Sequence, residues 1–123
     1  MATAVKTARA FQASASHASA GTTTGTGVDL RTALGCLISA HVTNPSGTIT
    51  TGVDFVVDIS TDNSDWHEFS RQTAGTAAST DYYFQVPVPP EAMYARTRFL
   101  NYVHASATAC TVEADGHEFT SIG

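Results

Sequence analysis

Charge is what this sequence has least of. Charged residues fill 14% of its 123 positions, against about 25% in an ordinary soluble domain. Lys6 is the one lysine and the formal balance is −5. Such a chain lacks the clustered Lys and Arg that grip a phosphate backbone, which excludes sequence-independent nucleic-acid binding. Cysteine is nearly as scarce. Cys36 and Cys110 fit no metal-ligand spacing and are too few for a disulfide framework, so two small buried thiols are expected. Whether their strands are neighbours stays open. No apolar run approaches the ~18 residues of a membrane span. The start, Met1 to Lys6, lacks the apolar core of a secretory leader, so the expectation is a chain made in a cytoplasm and used whole.

Catalytic patterns are missing too. No serine sits in a nucleophile elbow, and the glycines from Gly21 to Gly27 are not followed by the Lys-Ser/Thr of a phosphate loop. Two segments, His67-Glu68-Phe69-Ser70 and His117-Glu118-Phe119-Thr120, echo each other, each with an Asp two residues before the His. On a strand the His and Phe would share a face and the Glu would point to the other, so one segment cannot offer both His and Glu to the same ion. Asp62 and Asp65 suit a turn, where Asp bonds its own backbone. No catalytic, cofactor or metal site is expected, and no enzyme.

What fills the chain is Thr, Ser and Ala (19, 11 and 19 residues), within a hydrophobic share of 42%. That suffices for one core and one domain. The pattern is of short extended segments. Ala13 to Ser16 alternate with period two, so residues 8–20 read as an edge strand or an extended arm, followed by a flexible loop at 21–27. Residues 37–43 alternate. Phe55, Val57 and Ile59 share one face and Val56, Asp58 and Ser60 the other; Asp62 to Asp65 then turn into a return strand at Trp66. Tyr82 to Val88 is a strand hemmed by Pro87, Pro89 and Pro90. From Tyr94 to Val103 the alternation runs for ten residues with aromatic and β-branched content, so strand is preferred to helix. Residues 110–114 close the series. The fold expected is all-β: a single antiparallel sandwich, jelly-roll or Ig-like, over 28–123, with an extended arm and flexible loop at 1–27.

The candidate interaction residues are Trp66, Tyr82, Tyr94, Arg96 and Arg98. Trp66 with the tyrosines could stack on a sugar, but a Trp after a hairpin turn more often packs over the sandwich edge. Arg96 and Arg98 share a strand face and are expected to pair with a carboxylate on a neighbouring strand or subunit.

The segment Val56 to Trp66 resembles the strand, turn and Trp unit of small β-sandwich virion structural proteins of tailed bacteriophages. Ala92-Met93-Tyr94-Ala95-Arg96-Thr97-Arg98 and the closing strand Thr111-Val112-Glu113-Ala114 are similar to further parts of those proteins. The likeness spans roughly residues 28–116. It implies a capsid-associated decoration or cement subunit, or a tail-associated one, found in the virion after synthesis in the host cytoplasm. The implied partners are copies of itself, as in a trimer, and other virion proteins such as the major capsid protein, with no cofactor, nucleic acid or membrane. Such proteins work through surfaces and symmetry, so no site residue carries over. Discoidin-like and other carbohydrate-binding sandwiches share the Trp and Tyr-x-Arg rhythm, and the alternative is therefore a glycan-binding module of a tail or adsorption device.

Overall fold

The computed structural model describes residues 4–122, with side chains described for residues 6–119. Among the described residues there is no helix. The strands are β1 (Ala4–His17), β2 (Thr23–Thr24), β3 (Val28–Asp29), β4 (Cys36–Thr43), β5 (Ile49–Thr51), β6 (Asp54–Ser60), β7 (His67–Thr73), β8 (Asp81–Val88), β9 (Tyr94–Leu100), β10 (Val103–His104) and β11 (Cys110–Ile122). One sheet has the order β1-β11-β4-β8. The other runs β2-β9-β6-β7, with β3 also on β9, and β5 pairs with β10 in a small third sheet. The strand pairs are antiparallel throughout. This is an all-β sandwich.

The sandwich forms because alternate residues of facing strands are apolar. In β4, Cys36, Ile38, Ala40 and Val42 are buried while the residues between them are half-exposed. They meet Val86, Val112 and Ala114 of their own sheet and Phe55, Val57, Ala95 and Phe99 of the other in one core. The Phe55 and Phe84 rings join the two sheets, stacked with centroids 5.9 Å apart.

The β6–β7 hairpin lies where the sequence places it. Its turn is built by Asp62, whose Oδ1 accepts from the backbone N–H groups of Ser64 and Asp65, while Asn63 takes the left-handed conformation (φ 60°). The long alternation from Tyr94 is cut short, however. Asn101 is left-handed (φ 65°), β9 ends at Leu100, and Tyr102 is thrown into the core with its hydroxyl donating to the Thr108 carbonyl at 2.7 Å. Tyr102 thus does not share the face of Tyr94, Arg96 and Arg98. Asn tolerates that backbone region better than other residues with a Cβ, and period-two reading cannot see the break.

Of the two readings of residues 8–20, the structure shows the edge strand. β1 pairs along β11, with register shifts after Val5, Ala10 and Gln12. Its Phe11 is buried in the same core as Val28. The ring lies where a Cβ on Gly116 would collide with it. The 21–27 segment lies along the other sheet: β2 pairs with β9, and the Gly25 N–H donates to the Thr97 carbonyl at 2.8 Å. Because Ala4 pairs with Ile122, the first and last described residues emerge side by side at one end of the sandwich. The loops of the opposite end, around 44–48, 74–80 and 105–109, carry no Asp, Glu, Lys or Arg.

Candidate functional site

The outer face of the β9-β6-β7 sheet is a polar lattice around one carboxylate. Period two sends Val56 and Asp58 of β6 outward, where Arg96 and Arg98 of β9 lie opposite Asp58 and Val56. Arg98 grips Asp58 with Nε to Oδ2 at 2.6 Å and Nη2 to Oδ1 at 3.0 Å, and Arg96 Nε reaches Oδ2 at 2.9 Å. The Asp58 side chain is 2% exposed. Burial opposes its ionisation, but the hydrogen bonds and charges of Arg98 and Arg96 outweigh it and hold the carboxyl below its ordinary range. Arg71 of β7 extends the lattice, bonding Asp54 Oδ2 and Glu68 Oε1, each at 2.7 Å.

Four of the five sequence candidates sit on this face and one does not. Arg96 lies 4.6 Å from the centroid of the Trp66 ring, and that half-buried ring packs against Gly27. Trp66 therefore lies outside the core, covering the sheet's outer face. Tyr94 stands two residues before Arg96 on the same face, with the Arg31 guanidinium 5.3 Å from its ring centroid. Tyr82 belongs to β8 of the other sheet, packed partly against the core, its hydroxyl accepting from Ala77 N–H at 3.3 Å.

The outer face of the β1-β11-β4-β8 sheet carries a second cluster that sequence motifs did not flag. His41 lies directly between Glu113 of β11 and Tyr83 of β8. Its Nδ1 is 3.1 Å from Glu113 Oε1, its Nε2 is 3.2 Å from Asp81 Oδ1, and the Tyr83 ring stacks on it at 4.5 Å and 8°. Partial burial disfavours charge on His41, but the two carboxylates prevail and raise its pKa above the ordinary value. Tyr83 is 71% exposed. These residues come from three strands, so only the strand pairing reveals them. Farther along the same face, Lys6, Leu37, His117 and Phe119 line a cleft of about 280 Å³.

The arginine charge is fully paired. Each arginine lies within 3 Å of a carboxylate: Arg9 on Glu118, Arg31 on Asp29, Arg71 on Asp54 and Glu68, and Arg96 and Arg98 on Asp58. Those five carboxylates leave six of the eleven, and six against Lys6 give the −5 balance.

A cleft of about 500 Å³ beside Asn101 contains Asp54. That carboxylate already accepts from Thr73, Arg71 and Asn101 at 2.6–2.8 Å. His117 and Glu118 point to opposite faces of β11, as strand geometry requires. Among the described residues no cluster of His, Cys, Asp or Glu has the arrangement of a metal site. Cys36 and Cys110 are both free and buried. Cys36 pairs with Glu118 while Cys110 pairs with His17, so they lie at opposite ends of β11, roughly 26 Å apart at about 3.3 Å per residue. Burial pushes both thiols up to about 11.

No family model and no curated protein matches the sequence. Solved structures do match the fold. A chain from Bacillus endospore appendages, described as a family of disulfide-linked pili, aligns with a TM-score of 0.55 at 12% identity, over 98% of this chain and 90% of that one. A chain from infectious bursal disease virus, Gx strain, aligns with a TM-score of 0.52 at 12% identity, over 97% of this chain but only 32% of its own length. At such identity the likeness is one of fold.

Proposed function

We propose that this protein is a non-enzymatic structural subunit that acts by packing against copies of itself and against other proteins of an assembly, and more specifically that it is a capsid-associated decoration or cement protein of a tailed phage. The observation that carries the reading is the near end-to-end match of the whole sandwich to a chain from an assembled pilus. The fold is spent on forming one such unit, with no appended domain in the described residues. The surface supports it: the arginines are tied into the molecule's own ion pairs, and Thr, Ser and Ala dominate the rest. Weak contacts of such a surface gain strength when repeated by symmetry.

Assembly here would be noncovalent. The pili of the structural neighbour are disulfide-linked, whereas Cys36 and Cys110 are the two cysteines of this chain and both are enclosed in the core. The glycan-binding alternative asks for exposed, coplanar aromatic rings; Trp66 is instead half-buried beneath Arg96, and Tyr82 lies on the other sheet.

Co-sedimentation tests the proposal. The purified protein should pellet saturably with phage heads or empty shells, at a stoichiometry set by the lattice. Protein left wholly in the supernatant with every head and shell preparation would overturn the capsid assignment.

A further inference from the structure

We infer that the outer face of the β1-β11-β4-β8 sheet binds a second copy of this chain, with Tyr83 of each copy seated in the Lys6–Leu37–His117–Phe119 cleft of the other. The inference rests on the assembly reading above and adds to it which surface does the work. Among the described residues Tyr83 is the most exposed of the large apolar or aromatic side chains, at 71%, yet it is not loose. Its ring is fixed by the stack on His41, and His41 is clamped from both sides by Glu113 and Asp81. An aromatic side chain held rigid before contact loses little rotamer freedom on docking, which is what makes such residues binding anchors.

The same face supplies the matching recess. Alternation puts Lys6, Leu37, His117 and Phe119 on the outer side of their strands, where Leu37 pairs with His117 and Lys6 with Phe119. The cleft they line, about 280 Å³, has room for a phenol ring, with apolar walls in Leu37 and Phe119. The charges agree in sign. Tyr83 stacks on His41, which the carboxylates of Asp81 and Glu113 flank, and the recess is rimmed by Lys6, whose Nζ lies 5.7 Å from the Phe119 centroid. Lys6 is the one Lys or Arg without an ion pair among the described residues. Between knob and recess the row across the face is Ala10, Asp115, Ser39 and Gln85, with Ala10 and Ser39 its short members and Asp115 and Gln85 exposed. Each copy carries both halves, so a two-fold axis lets the pair exchange them reciprocally and close.

Sedimentation velocity of the full chain across a wide concentration range tests this. The parent should associate reversibly. Tyr83→Ser and Lys6→Glu, both at exposed positions, should each raise the dissociation constant about tenfold or more, with melting temperatures unchanged. Lys6→Glu and Asp81→Lys should each associate poorly alone, because like charges then meet. Mixed one to one they should recover association, since each half-contact again joins opposite signs. If the parent associates and Tyr83→Ser and Lys6→Glu do so equally well, the face is wrong while the assembly reading stands. If the parent stays monomeric to millimolar concentration, the inference is overturned, and the assembly reading then depends on binding to the particle alone.

Discussion

Asp58 shows how much one residue can organise. It satisfies two arginines at once while itself almost wholly enclosed. Asp58→Asn leaves two guanidinium groups facing an amide that cannot balance them, and the loss expected is about 2–4 kcal/mol, somewhat less than for a fully buried pair because both arginines keep partial solvent contact. Urea denaturation at neutral pH checks it, and a variant as stable as the parent would show that the lattice contributes nothing net. Two histidines act in opposite senses. His17 is fully buried, with Nδ1 on Thr23 Oγ1 at 2.7 Å and Nε2 without a partner, and burial lowers its pKa below 6.5. The unfolded chain takes up a proton there first, so this contribution is complete above about pH 6.5 and is lost as the pH falls. His41 has a raised pKa; its contribution is complete below about pH 6.5 and is lost as the pH rises through the folded value. Melting temperatures from pH 5 to 8 should therefore fall less steeply on the acid side for His17→Phe than for the parent. His41→Gln should remove part of the loss on the alkaline side.

At the scale of elements, the first strand is the one to test. β1 carries Phe11 and His17 into the core and Arg9 onto Glu118 at 2.9 Å. Phe11→Ala should cost about 3–5 kcal/mol, and deleting residues 1–17 should lower the melting temperature sharply; a dispensable arm would leave both unchanged. How legible each element was follows from its side chains. β4, β6 and β8 show in the sequence because apolar and polar residues alternate there, and β7 shows as the return strand after the Asp62–Asp65 turn. β1 shows only faintly, because Ala, Ser and Thr leave its two faces alike and Phe11 is its sole large apolar anchor among the described side chains. The pairing of Arg96 and Arg98 with a neighbouring carboxylate was legible from their shared face. That the partner is Asp58, and that it is buried, was not: an acid at an outward position reads as surface until the arginines close over it. The His41–Tyr83 cluster was invisible for a different reason, since its members are neighbours only across strands.

The whole molecule combines a fully used set of arginines with a surplus of carboxylates and two enclosed thiols. Whatever assembly it forms should thus be indifferent to redox state. Size distributions measured with and without reductant should coincide, and after alkylation no covalent multimer should appear on a nonreducing gel; a reductant-sensitive ladder would mean that Cys36 or Cys110 becomes accessible. At this scale the sequence was most informative. Fold class and the want of a catalytic motif follow from composition and period alone, whereas the assignment of surfaces to partners needs the sheet order.

That order also has a bearing on how the chain is made. In the β1-β11-β4-β8 sheet β11 is the strand that joins β1 to β4, and it leaves the ribosome after the other ten. Until then β1 has no strand to pair with, and one edge of β4 stays open. The sandwich is therefore expected to close late, after most of it has been synthesised, with β1 and β4 waiting in the interim for a partner or a chaperone.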